Sequence, residues 1–153
     1  MALYLVQHGK SLPKDVDPDQ GLSDEGKSEV QRIADVAGGY GITVFKIAHS
    51  GKKRARQTAE LFKTVLAPSQ DLEERDGLKP LDDVSAAAKA LDTSENLMLV
   101  GHLPFMERLI NYLVTGSSDG LVFKFQNGGI LCLDQDPEND SWFIKWSLMP
   151  HID

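Results

Sequence analysis

The sequence predicts an α/β fold: a three-layer sandwich with a mainly parallel central sheet flanked by helices and an antiparallel hairpin near the C-terminus. Short apolar runs alternate with helical patterns through most of the chain, which favours parallel strands joined by crossover helices. Strand patterns then follow one another directly near the end, which favours antiparallel pairing. With 153 residues and no repeat or linker, the chain is expected to form a single domain over residues 1–153.

The strands are predicted from short runs rich in β-branched and apolar residues, bounded by polar or turn-forming residues. The last two predicted strands are joined by the polar segment 135–141, whose Asp-Pro-Glu-Asn-Asp content is typical of a hairpin turn. The predicted strands cover residues 2–6, 43–48, 96–100, 121–125, 129–134 and 142–148.

The helices are predicted from apolar residues that recur at helical spacing. The first helix is expected to begin after Ser23, a capping residue followed by acidic side chains, and to end at Gly38-Gly39. Its apolar face would be formed by Val30, Ile33, Ala34 and Ala37. Three further helices are predicted over residues 53–65, 84–91 and 107–114.

Composition excludes several classes of protein. The formal net charge of −7 argues against nucleic acid or an anionic membrane as the main partner, since both require clustered positive charge. The single cysteine, Cys132, cannot form an internal disulfide and is expected in the core. No apolar run approaches the length of a membrane span and no leader peptide is visible, so a cytoplasmic location is expected.

Polar, chemically active residues follow three of the predicted strands. His8 follows the first strand, the basic segment 50–56 follows the second, and His102 follows the third. Each alone has an ordinary structural explanation, such as a buried histidine or a solvated helix start. However, cations at a helix N-terminus oppose the helix dipole, and a bound anion would account for them. Because carboxyl ends of parallel strands meet at one edge of the sheet, the three segments are expected to share a site.

These segments carry a resemblance to a known family. Residues 3–11 (LYLVQHGKS) resemble the strand and Arg-His-Gly signature of the histidine phosphatase superfamily, which has a phosphoglycerate mutase-like fold. Residues 50–60 (SGKKRARQTAE) and 99–104 (LVGHLP) resemble its second and third motifs. The C-terminal part is similar to the compact SixA-type phosphohistidine phosphatases. The resemblance covers essentially the whole chain, with its motifs in order.

The resemblance implies a role for each matching residue. His8 would attack phosphorus and form a covalent phosphohistidine, Arg54 would clamp the phosphate oxygens, and His102 would donate hydrogen bonds to the same oxygens. These roles agree with the chemistry of phosphoryl transfer, in which positioning and stabilisation of charge on the oxygens dominate. The resemblance implies no cofactor and no metal, and the sequence contains no metal-binding motif.

The chain departs from the family at one position, where Gln7 replaces the arginine of the Arg-His-Gly signature. A glutamine can donate a hydrogen bond to phosphate but lacks the charged fork. Three interpretations of this replacement stay open: slow catalysis, catalysis rescued by a nearby cation, or a phosphate-binding module without turnover. The cations that could restore charge are Lys10, Lys52 and Lys53, and we include Gln7 and Lys10 among the candidate phosphate-binding residues.

The substrate is predicted from the lack of an evident general acid. Glu73, Glu74 and Asp76 are candidates by chain position, but a solvated acidic turn explains them as well. A histidine leaving group needs less protonation than an alkoxide, so the resemblance favours phosphohistidine on a partner protein, such as a histidine phosphotransfer domain. The alternatives are a catalytically impaired module that binds phosphate or a phosphoprotein, and a phosphatase acting on a small phosphate ester.

Two other histidines have no such context. A structural role at a strand end is the expectation for His49. His151 lies close to the C-terminus, in a segment that the sequence predicts to be mobile.

Overall fold

The computed structural model describes residues 1–153 and contains six strands and four helices. None of the helices has the length and apolar character that crossing a membrane requires. The strands are β1 (Leu3–Gln7), β2 (Lys46–His49), β3 (Glu73–Glu74), β4 (Leu97–Gly101), β5 (Ile130–Gln135) and β6 (Trp142–Leu148). The helices are α1 (Asp24–Gly39), α2 (Lys53–Leu66), α3 (Val84–Lys89) and α4 (Phe105–Thr115).

The six strands form one sheet in the order β3-β2-β4-β1-β5-β6. The first four strands in that order run parallel to one another, whereas β5 is antiparallel to both β1 and β6. The predicted α/β class, with a mainly parallel sheet and an antiparallel hairpin at one edge, is therefore confirmed.

Each face of the sheet buries its own apolar core, which creates the three layers. Alternate residues of β1 point to opposite faces: Tyr4 and Val6 contribute to a core with α1 and α2. Leu3 and Leu5 contribute to a second core with α3 and α4. Cys132 lies in the first core, as predicted.

The prediction of a strand over residues 121–125 is wrong. Leu121 is 61% exposed, and the segment belongs to no strand. The backbone N–H of Phe125 donates to the carboxylate of Glu107 on α4, 3.1 Å away, rather than to a neighbouring strand. Both edges of β5, the next strand along the chain, are already occupied by β1 and β6, so this segment does not extend the sheet beside it.

The short edge strand β3 was not predicted, because its two residues, Glu73 and Glu74, have low strand propensity. Pairing with Ala48 and His49 of β2 imposes the extended conformation. The Glu73 carboxylate receives hydrogen bonds from Lys46 and Arg75, at 3.2 and 2.6 Å, which lower its pKa against the opposing effect of burial.

The helix boundaries largely follow the capping signals. The Ser23 hydroxyl accepts a hydrogen bond from Gly26 N–H at 3.0 Å and caps α1, which ends at Gly39 as predicted. Helix α4 begins at Phe105, two residues earlier than the predicted 107, because its apolar side chains Phe105 and Met106 are fully buried.

The C-terminal segment, predicted to be mobile, is held against the rest of the molecule. The backbone of His151 exchanges two hydrogen bonds with the side-chain amide of Gln126, at 2.9 and 3.0 Å. The His151 ring contacts the carboxylate of Glu29 at 2.5 Å, and Arg32 donates to the carbonyl of Pro150 at 2.6 Å. These contacts join the end of the chain to α1.

Candidate active site

The three motifs meet at the carboxyl edge of the parallel strands. Gln7 ends β1 and is followed by His8, while Gly101 ends β4 and is followed by His102. Gln7 pairs with Gly101 in the parallel register, so the two histidines leave the sheet side by side. Their ring centroids lie 5.0 Å apart, and Arg54 reaches His8 from the first turn of α2.

The His8 ring is held in one tautomer by its neighbours. Its Nδ1 lies 2.7 Å from the carbonyl oxygen of Gly9, which can only accept, so Nδ1 carries the proton. Its Nε2 is then a lone-pair acceptor and faces the Nε of Arg54 at 3.3 Å. Burial lowers the pKa of His8 to about 4, and the Arg54 charge contributes to this shift. At neutral pH, His8 is therefore an uncharged imidazole with a nucleophilic Nε2.

Four backbone and side-chain contacts fix the chain around His8. The His8 N–H donates to Gly101 O at 2.9 Å, and Asn127 donates to His8 O at 3.0 Å. The Gly9 N–H donates to the hydroxyl of Thr58 at 3.0 Å, and that hydroxyl donates to Arg54 O at 2.8 Å. The loop that carries His8 is thus tied to the helix that carries Arg54.

His102 is 1% exposed and lies between His8 and the second motif. Its Nε2 is 2.6 Å from the hydroxyl oxygen of Ser50, whereas its Nδ1 is buried without a hydrogen-bond partner. Its pKa is lowered to about 3, mainly by burial, with smaller contributions from a protonated His8 ring and from the charges of Arg54 and Lys52. His102 is therefore neutral near pH 7 and retains one ring nitrogen that a ligand could bind.

Arg54 is available to bind an anion. Its guanidinium forms no ion pair with any carboxylate of the protein, and its hydrogen bond to His8 involves only Nε. The first turn of α2 contains no acidic residue that could neutralise it. A planar guanidinium at a helix N-terminus is well suited to the oxygens of a phosphoryl group.

The other two candidate residues differ in position. Gln7 is 9% exposed at the end of β1, beside the histidines, and its side-chain carbonyl oxygen has no partner. Lys10 lies two residues beyond His8, but its ammonium group is 2.8 Å from the carboxylate of Glu25 on α1. The structure brings His8, Arg54, His102 and Gln7 to one edge and directs the charge of Lys10 towards α1.

Sequence reasoning missed three supporting residues at this site. Ser50 and Thr58 lie within the second motif, so the resemblance could have indicated them, although not their contacts with His102 and Gly9. Asn127 contacts His8 across a long separation in the chain, and nothing in the sequence pattern indicates that contact. The structure contains no group of three or more His, Cys, Asp or Glu side chains that could hold a metal ion.

Comparison with known protein families gives one match, to the family model of the histidine phosphatase superfamily (branch 1), over residues 3–82. This range is more than half of the chain and includes His8 and Arg54. The chain belongs to the histidine phosphatase superfamily. This histidine phosphatase resembles no curated protein sequence significantly.

Solved structures of the superfamily are similar over almost the whole chain. The protein histidine phosphatase SixA in complex with tungstate has a TM-score of 0.83 and 25% identity, covering 98% of this histidine phosphatase and 97% of that chain. SixA from Agrobacterium tumefaciens has a TM-score of 0.76 and 26% identity, covering 97% of both chains. A phosphoserine phosphatase from Entamoeba histolytica shares the fold at 13% identity, with a TM-score of 0.75 over 98% of both chains.

Family and fold together make this chain a phosphatase of the histidine phosphatase superfamily. The fold alone does not define the substrate, because the structures that share it include proteins that act on different phosphate compounds.

Proposed function

We propose that the protein is a phosphohistidine phosphatase that hydrolyses protein-bound phosphohistidine through a covalent phosphohistidine on His8. The observation that carries the proposal is the state of the His8 ring. Its Nδ1–H is bonded to Gly9 O at 2.7 Å, and its unprotonated Nε2 faces Arg54 at 3.3 Å. A neutral, oriented imidazole beside an unpaired guanidinium is the arrangement that attack on a phosphoryl group requires.

In the first step, His8 Nε2 forms a bond to phosphorus while the bond from phosphorus to the substrate histidine breaks. The substrate ring, protonated on its other nitrogen, leaves as a neutral imidazole. His8 becomes a phosphorylated imidazolium, whose Nδ1–H is stabilised by the Gly9 carbonyl. Arg54 and His102 hold the oxygens on which negative charge is spread.

In the second step, water attacks the phosphorus and the bond to His8 breaks. The oxygen of the water and one of its protons become the hydroxyl group of inorganic phosphate, and the other proton of the water passes to a phosphate oxygen or to solvent. His8 returns to its neutral form with Nδ1 protonated. No further proton donor is needed, because both leaving groups are imidazoles rather than alkoxides.

A protein-borne substrate is supported by two further observations. The similarity to the two SixA structures extends over nearly the full length of each chain, at 25% and 26% identity. Two of the carboxylates considered as general acids have other surroundings. Glu73 already accepts hydrogen bonds from Lys46 and Arg75, and the exposed side chain of Glu74 lies next to Gly51. We propose further that residues 1–153 form one domain and that the protein is cytoplasmic, a compartment in which the unpaired Cys132 stays reduced.

The experiment is incubation with a phosphorylated histidine phosphotransfer domain and measurement of inorganic phosphate release. The wild type should release phosphate catalytically, and phosphoserine should be hydrolysed much more slowly. Anion binding without release of phosphate from any substrate would instead identify a binding module. Faster hydrolysis of phosphoserine than of the phosphoprotein would contradict the proposed substrate.

A further inference from the structure

The proposed site has fewer fixed positive charges than its ligand has negative ones. A phosphoryl group carries a charge of about −1.5 to −2 near neutral pH. Arg54 supplies one permanent positive charge, and both histidines are neutral because burial lowers their pKa values to about 4 and about 3. Gln7 adds none, and its amide has no hydrogen bond within the protein. A second cation is needed to complement the phosphoryl group.

The neighbouring cations can be distinguished by their ion pairs. Lys10 lies 2.8 Å from Glu25, and Lys53 lies 2.9 Å from Asp17. Arg56 lies 3.5 Å from Glu60, one turn further along α2. Lys52 is the one cation of the segment besides Arg54 that forms no ion pair.

Lys52 is also connected to the site through its backbone. It occupies the position immediately before α2, and its N–H lies 3.3 Å from the Ser50 hydroxyl. That hydroxyl contacts His102 Nε2 at 2.6 Å. The charge of Lys52 is close enough to contribute to lowering the pKa of His102, although burial is the largest cause and Arg54 contributes more than Lys52.

The location of Lys52 is unfavourable for the isolated helix. A lysine before the first turn opposes the helix dipole, caps no N–H with its side chain, and has no acidic residue in the first turn to offset it. An anion bound beside it would reverse this balance, because the free N–H groups, Arg54 and the ammonium would then act together.

We propose that Lys52 binds the phosphoryl oxygens of the substrate and replaces the charge that Gln7 lacks. The reaction-related part of this inference rests on the proposed function, whereas the anion-binding part does not. An ammonium group provides a compact charge with three donors but not the planar fork of a guanidinium. Lys52 therefore restores the affinity for phosphate more fully than it restores the two-point geometry of an arginine contact.

The test compares Lys52→Gln with a control, Arg56→Gln. The control also removes one positive charge, but from a residue of α2 that is paired with Glu60. Affinity for inorganic phosphate is measured by calorimetry, and thermal unfolding checks that each variant is folded. Lys52→Gln should weaken phosphate binding by roughly tenfold or more, as expected for a charge-assisted hydrogen bond. Lys52→Arg should bind phosphate nearly as well as the wild type, and Arg56→Gln should bind it within about twofold.

A second arm uses Gln7→Arg in the Lys52→Gln background. If the two positions supply the same charge, the added arginine should restore most of the lost phosphate affinity. Equal affinities of Lys52→Gln and Arg56→Gln for phosphate would overturn the inference, even if the wild type hydrolyses phosphohistidine. Conversely, a selective loss in Lys52→Gln would support it even if no phosphohistidine turnover is found, which would count against the proposed function alone.

Discussion

At the scale of single residues, the chemistry depends on how two rings are kept uncharged and oriented. The Gly9 carbonyl determines which nitrogen of His8 carries the proton, and burial keeps the ring neutral by lowering its pKa to about 4. His102 is neutral for the same reason, yet its orientation comes from the Ser50 hydroxyl. His8 and His102, the proposed nucleophile and the proposed oxygen-binding ring, thus have similar electrostatics but different hydrogen-bond partners.

Substitution of the three proposed catalytic residues should have graded effects. His8→Ala should abolish turnover because no other group can accept the phosphoryl group. Arg54→Ala and His102→Ala should each lower kcat/KM by roughly 10²- to 10³-fold, the usual effect of removing a donor to developing negative charge. Phosphate release from a phosphohistidine protein is the measurement, and wild-type turnover in His8→Ala would exclude His8 as nucleophile.

Gln7→Arg should raise the rate by up to about two orders of magnitude, because a charged fork replaces a neutral amide at the phosphoryl oxygens. The side-chain carbonyl oxygen of Gln7 accepts no hydrogen bond in the structure, so the change breaks no hydrogen bond to that atom. Lys10→Ala is the matched comparison, since the charge of Lys10 is bound to Glu25, and it should change the rate little. A fall in rate for Lys10→Ala with no gain for Gln7→Arg would show that Lys10 is the compensating residue instead.

At the scale of secondary structure elements, two helices hold the loop that follows β1. Helix α2 reaches it through Thr58, which accepts from Gly9 N–H at 3.0 Å. The first turn of α1 packs directly on the loop, and a Cβ at Gly26 would collide with the carbonyl oxygen of Lys10. Close approach of backbone to backbone at this point requires glycine.

Gly26→Ala should therefore displace the loop and lower both stability and activity. We expect a loss of about 1–3 kcal/mol in the free energy of unfolding, as for other overpacked sites, together with reduced kcat. Gly39→Ala, in the same helix with open space around it, should be neutral or stabilise by up to about 1 kcal/mol. Urea unfolding and phosphate release measure the pair, and equal effects of the two substitutions would rule out the loop contact as the cause.

At the scale of the whole molecule, the active-site histidines are placed where the sheet's two apolar cores meet its polar edge. Their burial favours the neutral form in the folded state, while the unfolded chain binds protons near the ordinary pKa of 6.5. As pH falls below about 6.5, the unfolded state therefore takes up protons that the folded state does not. The site that keeps His8 reactive also makes the fold sensitive to acid.

The stability of the protein should accordingly be full above about pH 6.5 and fall as pH decreases towards about 4 for His8 and about 3 for His102. For His102 the loss should reach about 2–3 kcal/mol at pH 4.5. Urea unfolding at several pH values measures it. His102→Gln should flatten the dependence, and an identical pH dependence in His102→Gln and wild type would contradict the assignment.

Much of the fold and the core of the site could be predicted from local patterns. Apolar periodicity and capping residues such as Ser23 identified the helices and the parallel strands, because burial and hydrogen-bond geometry act over a few neighbouring residues. The position of His8, Arg54 and His102 directly after strands or at a helix start predicted their meeting at one edge, since parallel strands end together.

Other features depended on groups that are distant in the chain. The segment 121–125 has a strand-like composition but pairs with no strand, whereas Glu73 and Glu74 become a strand because they pair with β2. Composition alone contains no information about an available partner. For the same reason, the sequence did not indicate the contacts of His151 with Glu29 and Gln126, which the fold brings to it.

The sequence by itself determined the fold class and the family motifs, and it shows a glutamine at position 7. Only the tertiary structure decided that Lys52 is left without an ion pair beside the site while Lys10 and Lys53 are paired, which nitrogen of His8 is protonated, and that Ser50 and Asn127 support the two histidines. The physical reason is the range of the interactions involved. Helix and strand patterns arise from neighbouring residues, whereas ion pairs, tautomers and pKa values are set by groups that folding brings within a few ångströms.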